Sequence, residues 1–377
     1  MFINIVVICL MVFYIGYIVF ESIYTRYIRK AFKIVIHVNG IRGKSTTTRL
    51  IDAGLRKCGY KVFSKTTGTV PTMINVDNED VVIKRLGKAN IREQIQMMRI
   101  AKKQGAEVLV LECMAVNPKL QKICEDQILK ADYTIITNVR EDHLDEMGNN
   151  LDEIAESLAN TIPSNGHLII NDGPYKQFFI EQAKKKNSIT HVAKEYSGDE
   201  LETFSENIQI ALELARTLNL DLDLFYEGMK EYHHDIGAYS KIKMNDTIFL
   251  NGFSINDPES IKIIYDKIIK EYDKNNLTLL LNNRFDRPTR VLQHIEMLKN
   301  LECKRLILYG SNPEFIKRKL EKQNYQYEIK ILNKIEDLNE EEIIFAIGNI
   351  GGDGMKVLKY FKENGERLWH SHLMFWF

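Results

Sequence analysis

Apolar positions cluster unevenly along this chain. Residues 2–20, FINIVVICLMVFYIGYIVF, carry no charge over 19 positions, long enough for a bilayer-crossing helix, which needs roughly 17–25 residues. Beyond it, short β-branched runs alternate with amphipathic stretches. KIVIHV (33–38), EVLVLE (107–112), YTIITN (133–138) and HLIIN (167–171) read as strands, each bounded by polar residues or glycine. Helical patterns fall between them, at about 44–58, 91–104, 151–160 and 174–185. Near-continuous apolar strands separated by helices predict an α/β fold with a parallel sheet covered on both faces. A second series begins near residue 240, with strands TIFLNGF (247–253), LTLLLN (277–282), RLILYG (305–310) and EIIFAIG (342–348). The expected organisation is an anchor and basic juxtamembrane segment (1–32), a central domain (33–238) and a C-terminal Rossmann-like domain (239–377), with the boundary in HHDIGAYSK (233–241).

Charge orients the first segment. Arg26, Arg29, Lys30 and Lys33 follow the apolar run and no Lys or Arg precedes it, so residues 21 onward are expected in the cytoplasm of a single-pass cell-membrane protein. The run lacks the basic start and small-residue cleavage site of a signal peptide. Over all 377 residues, 51 Lys and Arg balance 51 Asp and Glu, which argues against a nucleic-acid partner. Five cysteines, an odd number without CxxC spacing, fit reduced thiols better than a zinc site or a disulfide framework. Both tryptophans lie in the last nine residues, WHSHLMFWF. That tail is compatible with a buried end, an altered reading frame, or a segment touching a membrane or partner.

The candidate chemistry starts at VNGIRGKSTTTRL (38–50), between a strand and a helix. A Walker loop reads GxxxxGK[ST], and Val38 stands where its first glycine belongs. The remainder is Gly40-Ile-Arg42-Gly43-Lys44-Ser45. Shortening leaves the physics intact. Gly40 and Gly43 let backbone N–H groups approach phosphate oxygens, and the helix N-terminus adds partial positive charge. Lys44 can reach the β- and γ-phosphates, and the Ser45 hydroxyl can hold Mg²⁺. Thr46 to Thr48 extend a hydroxyl-rich first turn. Glu112 ends a strand, where carboxyl ends of a parallel sheet face the ligand crevice, so it can share that cation.

The loop, together with KTTGT (65–69), ECMAVNP (112–118), TNVREDHLDEMG (137–148), NTIPSNGH (160–167) and AIGN (346–349), resembles the Mur ligase superfamily. NGIRGKST is most similar to the ligase subunit of poly-γ-glutamate synthases (PgsB/CapB type). The resemblance implies a Mur-type ATP-binding domain followed by a smaller Rossmann-like domain. It makes His143 a ligand of a second divalent ion, with Asp142 and Asp145 as orienting partners, and puts Asn138 beside the nucleotide. Asn251 and Asp257 in NGFSINDPES (251–260), and Arg284 and Arg287 in NNRFDRPTR (282–290), become candidate nucleotide contacts, the arginines because guanidinium forks suit phosphate or carboxylate. Lys65, Thr66, Thr67 and Thr69 become candidate substrate contacts. The cofactors expected are ATP and Mg²⁺ or Mn²⁺.

Two positions depart from the family pattern. Many Mur ligases carry a carbamylated lysine after the metal histidine, yet no lysine occurs between Lys130 and Lys176. A Pro-Gly-Arg-like hinge is replaced by IGAYSK, where Lys241 is a candidate substitute for the arginine. The implied reaction phosphorylates a carboxylate and transfers the acyl group to an amine, which needs no side-chain nucleophile, and closure of the C-terminal domain would bring Arg284 and Arg287 onto ATP. By resemblance the substrates are glutamate and growing poly-γ-glutamate, and the partners small membrane proteins of CapC and CapA type. Two rivals share these residues: a membrane-tethered Mur or folylpolyglutamate ligase with another acceptor, and a membrane-bound ATPase serving a transport complex.

Overall fold

The computed structural model describes residues 2–368 except 69, 86, 88, 143, 197, 199, 200, 202, 236–238, 256 and 284–287, and leaves out the side chains of 2–4, 288–290 and 367. Thr69, His143, Arg284, Arg287, the start of the IGAYSK hinge (236–238) and the tail 369–377 therefore lie outside the described residues. The chain divides into two compact units, Met1–Asp235 and Ile236–Phe377.

The first unit contains strands β1 (Ile34–Asn39), β2 (Val62–Thr66), β3 (Thr72–Ile74), β4 (Asp80–Val82), β5 (Val108–Glu112), β6 (Tyr133–Ile136), β7 (His167–Ile170) and β8 (Ile189–Val192). Among the described residues they form one sheet in the order β4-β3-β2-β5-β1-β6-β7-β8, parallel from β2 to β8 and antiparallel at β3 and β4. Its helices are α1 (Phe2–Arg29), α2 (Lys44–Lys57), α3 (Glu93–Lys103), α4 (Pro118–Ile123), α5 (Leu144–Met147), α6 (Leu151–Ala159), α7 (Lys176–Lys185), α8 (Ser205–Thr217) and α9 (Leu222–Lys230), with a π-helical turn at Cys124–Leu129. Side-chain alternation along β1 divides the core. Ile36 and Val38 pack with Leu50, Leu55, Ile208 and Phe225 from α2, α8 and α9. Val35, on the opposite face, packs with Phe63, Met98 and Leu129.

β1 lies between β5 and β6. The crossover through α2 leads to β2 on one side, while β6 flanks β1 on the other. The loop after β1 thus opens at a switch point of the sheet, where α/β folds bind ligands.

α1 is longer than its uncharged run. Residues 5–20 are exposed, Phe13 by 77%, and its apolar window is long enough to cross a membrane. Its end is different: Ile28, with Phe32 just beyond, is buried among Phe63, Met97, Met98 and Leu109. Arg29 donates to the carbonyls of Leu129 and Lys130 and pairs with Asp132 at 2.8 Å. α1 also runs alongside α3 in the same direction. Arg92 bonds Tyr17 and Glu21, Arg99 lies over the Tyr24 ring, and Lys102 sits 3.5 Å from the centre of the Tyr27 ring.

The second unit contains β9 (Ser240–Met244), β10 (Thr247–Asn251), β11 (Leu277–Asn283), β12 (Arg305–Gly310), β13 (Glu328–Ile331), β14 (Ile343–Gly348) and β15 (Glu366–Arg367), with helices α10 (Pro258–Glu271), α11 (Pro288–Leu298), α12 (Pro313–Lys322) and α13 (Asp353–Asn364). Its sheet order is β13-β12-β11-β14-β10-β9-β15, parallel through β10 and closed by antiparallel β9 and β15. Phe249, Leu280, Phe345's neighbour Ala346 and Phe361 fill its core.

Candidate active site

The loop Gly40–Gly43 turns sharply out of β1. Gly40 has φ +123° and Gly43 φ +80°, values that favour glycine. Space is equally restrictive. A Cβ at Gly40 would collide with the Thr137 hydroxyl and stand 2.8 Å from its backbone N, and one at Gly43 would run into Asn207. No side chain caps the N-terminus of α2, leaving its first N–H groups for an anion.

Charged groups converge here. Lys44 Nζ donates to the Gly40 and Ile41 carbonyls at 2.7 and 3.1 Å. Burial pushes its ammonium down from the ordinary range, against the pull of Glu112. Ser45 Oγ donates to Glu112 Oε2 at 2.7 Å. Thr67 fixes the same carboxylate twice, from its backbone N at 2.7 Å and its hydroxyl at 2.6 Å. A hydroxyl beside a pinned carboxylate is a hard-oxygen donor pair suited to Mg²⁺ or Mn²⁺. No three His, Cys, Asp or Glu form a metal cluster among the described residues; phosphate oxygens and water can contribute to the shell of an ion held by this pair.

The far wall of the loop is built from the segment after β6 and from α8. Asn138 Oδ1 accepts from Arg42 N at 3.0 Å, and its amide donates to the Arg42 carbonyl and to Glu206 Oε1. Arg42 Nη2 reaches Asp142 at 3.0 Å, and Arg140 reaches Glu206 at 3.3 Å. Thr46 occupies the first turn of α2.

The KTTGT stretch behaves differently from its expectation as one substrate-binding loop. Lys65 is fully buried, paired with Glu93 at 2.8 Å and donating to Gln94 Oε1 at 3.1 Å. Thr66 is also buried, and only Thr67 joins the phosphate-loop group. The cause is the strand pleat: Lys65 is a β2 residue in register with Leu111, so its side chain enters the sheet's packed face rather than a loop. Burial alone would raise the Glu93 carboxyl, but bonds from Arg85 and Lys65 outweigh that and hold it at about 2.

In the second unit Asn251 ends β10, buried, with its Oδ1 facing Phe253 N at 3.4 Å. Asp257 caps α10 by accepting from Ser260 N at 2.9 Å, ahead of Pro258. These positions differ from Lys44 and Glu112 in belonging to the other unit. Sequence reasoning passed over Glu206 and Asn207 because it placed no helix at Ser205–Thr217. It also passed over His37, which is buried against Glu125 at 2.9 Å on the underside of β1.

Two parallel-sheet units joined in tandem, with a strand–loop–helix phosphate cradle at the switch point of the first, define an ATP-dependent ligase of the Mur type. Residues 38–225 match the Mur ligase middle domain, and residues 236–364 match the poly-gamma-glutamate synthase CapB C-terminal domain. The chain belongs to the CapB family of poly-γ-glutamate synthases. It is 36% identical over 359 residues to PGA synthase CapB of Bacillus subtilis (strain 168), covering 88% of this chain and 91% of that protein. It is 33% identical to the capsule biosynthesis protein CapB of Bacillus anthracis, covering 88% and 76% respectively. Among solved structures, E. coli FolC in complex with DHPP and ADP aligns with TM-score 0.69 at 15% identity, over 91% of this chain and 93% of that one. The folylpolyglutamate/dihydrofolate synthase of Yersinia pestis, complexed with AMPPNP and Mn ion, aligns with TM-score 0.68 at 11% identity, over 91% and 92%.

Proposed function

We propose that this protein lengthens poly-γ-glutamate, using ATP to activate a γ-carboxylate and joining it to the amine of another glutamate. The observation that carries this is kinship at 36% identity along 91% of a poly-γ-glutamate synthase, and the cradle of Lys44, Ser45 and Glu112 supplies its chemistry. A carboxylate oxygen attacks the γ-phosphorus, the bond to the β–γ bridging oxygen breaks, and ADP leaves. The amine nitrogen then attacks the acyl carbon, phosphate departs with the bonding electrons, and the amine loses a proton to water.

The chain's own residues bind and orient. Gly40, Gly43 and the uncapped turn of α2 receive the β- and γ-phosphates, with Thr46 in that turn. Lys44 exchanges its carbonyl partners for phosphate oxygens. Arg42 and Asn138 would border the nucleotide, and Thr67 holds Glu112 where it would share a cation with Ser45. A divalent ion held there, Mg²⁺ with Mn²⁺ as a substitute, would neutralise charge on the transferring phosphoryl group. Family resemblance supports His143 as ligand of a second ion, Asn251, Asp257, Arg284 and Arg287 as nucleotide contacts from the second unit, and Thr69 beside the substrate. Lys65 and Thr66 act behind that surface, holding β2 in place. The exposed apolar part of α1 supports a cell-membrane location with the catalytic units in the cytoplasm, working with small membrane proteins of CapC and CapA type.

The test is ADP release by detergent-solubilised protein with Mg²⁺ and ATP, with and without glutamate, alongside Lys44→Ala. Glutamate-stimulated release that falls by at least a hundredfold in the variant, about the loss seen when a charge-stabilising donor is removed, is the expected result. Release indifferent to glutamate would overturn the polymerase reading in favour of a transport ATPase.

A further inference from the structure

We infer that Asp235 is a further oxygen donor for the divalent cation at the phosphate loop, beside Ser45 and Glu112. The inference rests on the nucleotide-binding reading of that loop. Gly68, in the turn after β2, forms a small cradle. A methyl group placed on it would meet Asp235 Oδ2 at 2.6 Å and Ser45 Oγ at 2.8 Å. The two oxygens therefore face one point from different elements, and Ser45 Oγ already bonds Glu112. Magnesium–oxygen bonds of about 2.1 Å set ligand oxygens about 3–4 Å apart, a spacing open to two oxygens that border one small cradle.

Charge gives the second argument. The loop and the uncapped α2 terminus are arranged for a polyanion, and a carboxylate beside them repels phosphate at close range. Glu112 is aimed by Ser45 and Thr67, and a cation between it and the phosphates would offset that repulsion. Asp235 Oδ2 borders the same Gly68 cradle as Ser45 Oγ, so a cation held at that hydroxyl would stand beside its carboxylate as well. Two carboxylates and a hydroxyl, completed by phosphate oxygens and water, make a usual oxygen set for Mg²⁺. Gly68 is then required for want of a side chain, since any Cβ would fill the space between the donors.

The position of Asp235 adds a consequence. It is the last residue of the first unit, so the ion would hold the strand of chain that leads into the second. Occupancy of the metal site would thereby be felt at residues 231–235.

The test is a Mn²⁺ titration of the full chain in detergent, followed by electron paramagnetic resonance with a non-hydrolysable ATP analogue. Wild type, Asp235→Asn, Asp235→Glu and Ser45→Ala are compared, and thermal unfolding confirms that each is folded. The expected result is Mn²⁺ affinity at least tenfold weaker in Asp235→Asn and in Ser45→Ala, with partial recovery in Asp235→Glu. Amide exchange at 231–235 should slow on adding Mn²⁺ and analogue to wild type but not to Asp235→Asn. Affinity unchanged in Asp235→Asn while lost in Ser45→Ala overturns the role of Asp235 and leaves the phosphate-loop reading standing. Affinity unchanged in both overturns the loop reading and the inference with it. Weakening without recovery in Asp235→Glu, and with exchange at 231–235 indifferent to the ion, marks a structural role and also overturns the inference.

Discussion

Gly40 and Gly43 show how much of the site is decided by what is missing. At Gly40 a positive φ and the nearness of Thr137 act together. Gly40→Ala is expected to cost about 1–3 kcal/mol through backbone strain and to push the Thr137 hydroxyl off the Arg42 carbonyl it now bonds at 2.6 Å. Thermal unfolding would register the first effect, and titration with a fluorescent ATP analogue the second, as a loss of affinity. These two glycines, Lys44 and Ser45 were legible because GKS between a strand and a helix has a single local explanation. Glu112 was legible because it ends an apolar run. Lys65 was not. The resemblance grouped it with the neighbouring threonines as a substrate contact, whereas its place in a strand sent it inward, its stem buried and its ammonium met by Glu93. Asp235 was hidden for a different reason: its neighbour Ser45 is distant in sequence, and only the tertiary fold brings them together.

Elements were read best where they were long and regular. β1, β5, β11 and β14 emerged because central parallel strands are apolar on both faces. β3 and β4 have three residues each and the latter is largely exposed, so no periodicity could reveal them. β2 is interrupted by Ser64 and Lys65, polar residues that the fold pairs with Asp52 and Glu93. α8 was passed over although Ile208, Ala211, Leu212 and Ala215 form a helical stripe, and with it went Glu206 and Asn207. The α3–β2 contact makes a prediction of its own. The Glu93 carboxyl, held at about 2 against an ordinary 4.5, stabilises the folded chain above pH 4.5, and that contribution is lost as pH falls from 4.5 towards 2. Glu93→Gln should lose stability at neutral pH, and its unfolding free energy should fall less steeply between pH 4.5 and 2. Urea denaturation at stepped pH measures both. Equal slopes in the two proteins would remove Glu93 from the account.

For the whole molecule, the tandem of two parallel-sheet units was expected from two successive strand–helix series, and the structure divides the chain at Asp235 and Ile236. The path of the first helix was not expected to matter to the fold. Its uncharged stretch announces an anchor, but Ile28 and Phe32 are core residues, and only packing reveals that. Phe32→Ala should destabilise the first unit by about 3–5 kcal/mol, as for a buried aromatic truncated to alanine, seen as a lower midpoint of urea unfolding in detergent. An unchanged midpoint would mean that the helix end is dispensable. This docking sets a rule for trimming the protein. A water-soluble fragment that began at Lys33 would expose the bed of Phe63, Met97 and Leu109 and strip Arg29 from Asp132, turning the cut surface into a site of aggregation. One that began near Glu21 would keep the plug, the Arg92 contact to Glu21 and the seam with α3, while discarding the exposed apolar turns.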